Sequence, residues 1–286
     1  MNDTRPADRV DVQSAPGVES AATKPVAGLG IAQSLGLGAL FFIAHPAIGA
    51  IISLARVPHA SATTFLVSLV IAWLVVIAVG VRLSRERLAV SAPSARVPGR
   101  LWAPVAIGSI GAAIVLPQLA RLIPMPAAIV ERFQELRDSG TLSWVVAIGG
   151  LGPLAEEVFF RGLVLRGLLA RYSTRKAVWV SALMFTAFHL NPWQAVVALP
   201  MGLAYAWLVI RTGSIWPGVV SHCIVNLFVN FGTYGVLRLS GLSAPEIDVL
   251  ASIPYPLLLL GVVALAGGLL WARHLVRGET ARPTRG

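Results

Sequence analysis

Apolar runs of about 20 residues recur along this chain of 286 residues, and they constrain its fold more than any other feature. A helix of that length crosses the roughly 30 Å hydrocarbon core of a bilayer. Charged residues make up only 13% of the sequence, against roughly 25% in soluble domains. The sequence therefore predicts an all-α polytopic membrane protein. The apolar runs indicate eight spans, at 28–55, 63–81, 102–120, 143–165, 177–190, 193–210, 215–237 and 253–272.

The distribution of Lys and Arg predicts how these spans are oriented. Of the 23 basic residues, 17 fall on the side of the N-terminus and 5 on the opposite side. Because basic loops stay in the cytoplasm, both termini are predicted to be cytoplasmic. The same rule accounts for the net charge of +10, and no nucleic-acid-binding motif accompanies it, so nucleic acid is not an expected partner. We expect a multi-pass protein of the plasma membrane, of bacterial origin.

Four regions follow from this pattern. Residues 1–27 are polar and predict a disordered cytoplasmic tail. Residues 28–142 contain the N-terminal transmembrane helices and, at 124–142, an amphipathic segment expected at the outer membrane surface. Residues 143–237 hold the polar side chains discussed below. Residues 238–286 contain the last span and a basic cytoplasmic tail.

The stretch "GPLAEEVFFRG" places Glu156, Glu157 and Arg161 inside the apolar fourth span. Ionisable groups in a span cost several kcal/mol unless they are paired or hydrated, so each is a candidate site residue. Glu157 and Arg161 are four residues apart, which predicts an ion pair on one helix face. Glu156 projects about 100° away from Glu157 and remains as a surplus carboxylate. Since one arginine needs only one carboxylate, Glu156 is a candidate general base.

Two further spans carry polar residues at compatible depth. His189 ends the fifth span in "FTAFH", where Phe185 shares its face. In the seventh span, His222, Asn226 and Asn230 form a stripe at helical spacing. A lone histidine in a span is more often a hydrogen-bonding group between helices, so the argument depends on the whole set.

Two mechanisms fit these residues. In one, Glu156, His189 and His222 bind a zinc ion and leave a position open for water. In the other, no metal is needed: Glu156 and His189 activate water, while His222 and Asn226 stabilise the oxyanion. Both mechanisms hydrolyse a peptide bond within a membrane. The single cysteine, Cys223, rules out a multi-cysteine metal site.

The three motifs resemble those of the CPBP family of intramembrane proteases, also called the CAAX-protease and bacteriocin-processing or Abi family. That family carries Glu-Glu-x-x-x-Arg, Phe-x-x-x-His and His-x-x-x-Asn/Asp on separate transmembrane helices. Here the motifs read "EEVFFR" at 156–161, "FTAFH" at 185–189 and "HCIVN" at 222–226. The resemblance covers about residues 143–235, roughly a third of the chain.

The resemblance implies an endopeptidase that acts on membrane-embedded or lipidated substrates of the CAAX or bacteriocin type. It implies that Glu156 and His189 activate water, that His222 and Asn226 hold the oxyanion, and that Glu157 and Arg161 shape the site. The alternative is a non-catalytic scaffold, immunity factor or small transporter that keeps the polar cluster as a structural network. Such a protein would not need the surplus Glu156 together with two histidines.

Overall fold

The computed structural model describes residues 28–54, 62–84, 97–128, 131, 142–232 and 253–277. Those residues are mostly helical, and no strand is assigned among them. We number the helices α1 Ile31–Leu54, α2 Ala62–Ser84, α3 Trp102–Ala120, α4 142–169, α5 Thr174–Phe188, α6 Pro192–Thr212, α7 Trp216–Leu227 and α8 Tyr255–Arg277. The predicted tail 1–27, most of the amphipathic segment 124–142 and the chain beyond 277 lie outside the described residues.

Five of these helices are long and apolar enough to cross a membrane: α1, α2, α3 with its leading turn Gly99–Leu101, α6 and α8. This confirms the predicted all-α polytopic membrane protein. Helix α5 has 15 residues and α7 has 12, which corresponds to about 22 Å and 18 Å of length. The total of eight spans and the cytoplasmic placement of both termini stay predictions.

Helix α4 lies at the centre of the fold and contacts α2, α5, α6 and α7. It is built from five consecutive segments: Leu142–Val146, the π-helical turn Ala147–Leu151, Gly152–Glu157, the π-helical stretch Val158–Leu165, and Arg166–Leu169. A π-helical turn, in which each N–H bonds to the carbonyl five residues earlier, is rare and is found frequently at functional sites. The two glutamates end the short α-helical segment between these two π-helical segments, and Val158 of the second follows Glu157 directly.

Glycines allow α3 and α8 to pack with their backbones in contact. A Cβ atom added at Gly268 would lie 2.5 Å from the Gly108 nitrogen, and one at Gly111 would lie 2.3 Å from the Leu265 nitrogen. Real Cβ atoms do not approach backbone atoms so closely, so the two helices would have to separate. Small residues at such contacts are the usual means of helix association in membranes.

Gly268→Ala is therefore expected to destabilise the protein by about 1–3 kcal/mol, the usual cost of overpacking. Gly267→Ala is the matched control, because it lies on the same helix and its added Cβ would meet nothing within 4 Å. Thermal unfolding of both variants in detergent tests the packing. Equal melting temperatures for the two variants would contradict the close approach of α3 and α8.

Candidate active site

Arg161 and Glu157 form the ion pair that their spacing predicts. Arg161 Nη1 lies 3.0 Å from Glu157 Oε1, and both side chains are fully buried. A second guanidinium nitrogen, Nη2, donates to the Gly202 carbonyl of α6 at 3.1 Å. The guanidinium also lies over two aromatic rings, with Cζ 4.4 Å from the Phe185 centroid and 5.1 Å from that of Tyr205. This environment compensates for part of the cost of burying the charge.

Glu157 also contacts His222, which the sequence does not predict. The Nδ1 atom of His222 lies 3.2 Å from Glu157 Oε1, the same oxygen that faces Arg161. An ionised carboxylate only accepts hydrogen bonds, so His222 Nδ1 carries a proton and donates it there. The other ring nitrogen, Nε2, lies 3.9 Å from Glu156 Oε2. His222 is thus held between the two carboxylates.

A glycine on α7 allows this approach. A Cβ added at Gly218 would lie 3.1 Å from Glu157 Oε2, closer than most real Cβ contacts. His222 follows Gly218 by four residues and therefore shares its helix face. The missing side chain at 218 lets α7 come near α4, and one turn later His222 reaches the carboxylates.

Glu156 is the carboxylate of the pair for which the described residues show no hydrogen bond. Its Oε2 atom is buried and accepts no hydrogen bond within the described residues, while its side chain is 19% exposed. The 3.9 Å separation from His222 Nε2 is too long for a hydrogen bond, but a small ligand oxygen could contact both atoms. This agrees with the expectation of a surplus carboxylate.

His189 lies at the C-terminal end of α5, one turn beyond Phe185. Its Nδ1 atom is 2.9 Å from the Phe185 carbonyl oxygen, which can only accept, so Nδ1 carries the proton and Nε2 has an open lone pair. The Phe185 ring contacts both histidines, with centroids 5.0 Å from His189 and 5.6 Å from His222. Within the described residues, no hydrogen bond or ion pair joins His189 to Glu156 or His222.

The turn after α5 keeps His189 in place. Leu190 adopts a left-handed conformation with φ of 54°, which is uncommon for a leucine. Asn191 then caps α6: its side-chain oxygen accepts from the Gln194 nitrogen at 2.7 Å, and its Nδ2 donates to the His189 carbonyl at 3.1 Å.

Asn226 donates a hydrogen bond to a backbone carbonyl of α4 that a proline leaves without its usual partner. In the π-helical turn Ala147–Leu151, the Gly152 N–H donates to the Ala147 carbonyl. The next bond in that register would come from Pro153 to Ile148, but proline has no N–H. Asn226 Nδ2 donates to the Ile148 carbonyl instead, at 3.0 Å. A primary amide has two N–H groups, so one remains for another acceptor.

The predicted zinc set can be tested against these positions. Glu156 and His222 face each other, but His189 is hydrogen-bonded to the carbonyl of its own helix, and the Phe185 ring lies against both His189 and His222. Among the residues that the structure describes, no group of three His, Cys, Asp or Glu side chains could hold a metal ion. The three residues in this arrangement therefore do not fit a zinc ion, and we derive no step through one.

The fold and this cluster define the class: a multi-pass helical membrane protein with a buried glutamate–histidine–arginine cluster. Comparisons with known proteins agree with that class. Residues 138–228 match a family model described as Type II CAAX prenyl endopeptidase Rce1-like. Over 79 residues the chain is 29% identical to the "Putative membrane peptidase YdiL" of Bacillus subtilis (strain 168). No solved structure matches significantly.

The similarity is confined to part of each protein. The aligned residues are 28% of this chain and 32% of the Bacillus relative, so the chain covers about a third of that protein's length. The family match contains all three sequence motifs and therefore every candidate site residue. The two matches together support assignment to the CPBP family that the motifs indicate.

Proposed function

We propose that this protein is an intramembrane endopeptidase that uses Glu156 to activate a water molecule. The observation that carries the proposal is the position of Glu156 Oε2: buried, without a hydrogen bond within the described residues, and 3.9 Å from His222 Nε2. Buried polar atoms are normally hydrogen-bonded, and exceptions are frequent at sites that bind water or substrate. The matches to the Rce1-like family and to a relative named as a membrane peptidase support the same class.

In this mechanism a water molecule lies against Glu156 and donates a proton to it as its oxygen attacks the carbonyl carbon of the peptide. His189 helps Glu156 to activate the water through Nε2, whose lone pair is free because Nδ1 donates to the Phe185 carbonyl. The attack produces a tetrahedral intermediate with a negative oxygen. When it collapses, the C–N bond breaks and the amine leaves with the proton held by Glu156. The net reaction adds OH to the acyl carbon and H to the nitrogen.

His222 is proposed to stabilise the negative oxygen. Glu157 accepts from its Nδ1, so when a proton is also bound at Nε2, that second N–H is directed towards Glu156 and the reacting atoms. The second N–H of Asn226 is the additional donor that the motif implies, and its first N–H supports the π-helical turn of α4.

The proposed substrates are membrane-embedded or lipidated peptides, in keeping with the CAAX description of the matching family. The site helices α4 and α7 also pack against α6, which is long and apolar enough to span a membrane. The proposed location is the plasma membrane of a bacterial cell. Within the described residues the site does not identify a lipid modification, so CAAX-type and bacteriocin-type peptides remain the two candidates for direct testing.

The decisive experiment is a cleavage assay with the purified protein in nanodiscs and a library of membrane peptides. We expect cleavage in heavy-oxygen water to place one labelled oxygen in each new carboxylate, detected by mass spectrometry. Glu156→Ala and His222→Ala should both abolish the products. Products that persist in both variants would contradict the assignment, and a wild-type protein that cleaves nothing would favour a scaffold, immunity factor or transporter.

A further inference from the structure

Tyr205 on α6 belongs to none of the three motifs, yet its ring covers His222. The two rings are stacked, with centroids 5.2 Å apart and an angle of 26° between their planes. Tyr205 is 1% exposed, which makes it one of the largest fully buried side chains in the described structure. A stacked neighbour restricts rotation of the imidazole out of its plane.

Phe185 closes a second side of the same imidazole. Its ring meets His222 edge-on, with centroids 5.6 Å apart and planes at 82°. Both Tyr205 and Phe185 also contact the Arg161 guanidinium, which forms the ion pair with Glu157. The residues that hold the arginine are therefore the residues that surround the histidine.

These contacts divide the positioning of His222 into two parts. Stacking on Tyr205 defines the plane of the ring, but it permits a half-turn about the bond to the ring. Glu157 decides between those two orientations, because only one of them places Nδ1 at 3.2 Å from Oε1. With both contacts present, Nε2 faces Glu156.

We propose that Tyr205 is a positioning residue for the reaction, whose aromatic ring holds the His222 imidazole in the plane that directs Nε2 to Glu156. This inference rests on the proposed function, since it assigns Tyr205 a role through His222. The face of the ring makes the contact, so phenylalanine can replace tyrosine here, whereas leucine fills similar space without a flat surface.

The first test is histidine NMR, which does not require activity. The chain has five histidines, so selective isotope labelling in nanodiscs, with His222→Asn for assignment, gives a resolved His222 signal. We expect the wild type and Tyr205→Phe to show one fixed orientation of the His222 ring, with the Nδ1–H bonded to Glu157, and Tyr205→Leu to show an exchanging mixture of ring orientations. An unchanged His222 signal in Tyr205→Leu would overturn the proposal.

The second test is kinetic and uses a matched core variant. Tyr205→Leu is expected to lower kcat about 10²-fold with little change in KM, the scale found when a reacting group is misplaced. Tyr205→Phe should retain most activity. Phe159→Leu is the control, because Phe159 is equally buried but contacts Trp73 and Phe160 rather than His222. Phe159→Leu should lower the stability without the loss in kcat expected for Tyr205→Leu.

The outcomes distinguish a failure of the Tyr205 proposal from a failure of the proposed function. A loss in Tyr205→Phe as large as that in Tyr205→Leu would assign the role to the hydroxyl and overturn the stacking argument. Equal kcat losses in Phe159→Leu and Tyr205→Leu would also overturn it, because general core damage would then suffice. If the wild type holds His222 as described but cleaves no peptide, the proposed function fails while the positioning of the ring stands.

Discussion

Glu156→Gln is expected to reduce peptide cleavage by about 10²- to 10⁴-fold, the contribution usual for a general base. Glutamine has nearly the same shape but cannot accept a proton from water. The expected thermal stability is unchanged or slightly higher, because Glu156 Oε2 is buried and accepts no hydrogen bond within the described residues. Single-turnover cleavage rates, together with melting temperatures in the same detergent, measure both effects.

Glu131→Gln is the matched control for this experiment, since Glu131 is exposed and far from the cluster in sequence. It should leave both the rate and the melting temperature unchanged. If Glu156→Gln kept wild-type cleavage, a different group would have to activate the water. If it lost activity and melting temperature together, Glu156 would be part of the structural network instead.

Arg161→Leu is expected to cost roughly 3–5 kcal/mol of stability, the penalty for leaving one charge of a buried pair uncompensated. The guanidinium is fully buried and contacts Glu157, the Gly202 carbonyl and two aromatic rings. Its removal leaves the fully buried Glu157 carboxylate with the His222 imidazole, 3.2 Å from Oε1, as its remaining polar contact among the described residues. Denaturation in mild detergent, followed by a fluorescent or calorimetric signal, measures the loss.

The double variant Glu157→Leu/Arg161→Leu distinguishes the charge effect from lost packing. Replacing both partners of a buried pair by apolar residues is often neutral or stabilising. We therefore expect the double variant to recover much of the stability that Arg161→Leu loses, while remaining inactive because His222 has lost its Nδ1 partner. A double variant no more stable than Arg161→Leu would show that packing, and not the unpaired charge, causes the loss.

Local spacing accounts for what could be predicted at the site. The Glu157–Arg161 pair follows from positions four residues apart on one helix, and the contact between Phe185 and His189 follows from the same rule. These interactions lie within a single helix, so the helical repeat alone determines them. Within the described residues, each of the eight numbered helices likewise overlaps one of the eight apolar runs, because a long apolar run favours a helix in a membrane.

Contacts between helices required the tertiary structure. Helical periodicity states which residues share a face, but it contains no information on how one helix is rotated or shifted against the next. The bond from Asn226 to the Ile148 carbonyl depends on a π-helical turn and on Pro153, and the sequence alone did not indicate that register. The sequence also did not indicate Tyr205, because a single aromatic residue on an apolar helix does not differ from an ordinary core residue.

The sequence by itself determined the membrane class, the helices, the motifs and the presence of one carboxylate more than Arg161 requires. Only the tertiary structure decided that Glu157 bonds to His222 as well as to Arg161, and that Tyr205 covers the imidazole. The physical reason is the close approach of α7 to α4 at Gly218, where a Cβ would meet Glu157 Oε2 at 3.1 Å. That distance is set by the packing of α4, α6 and α7 against one another, which no single segment of the sequence specifies.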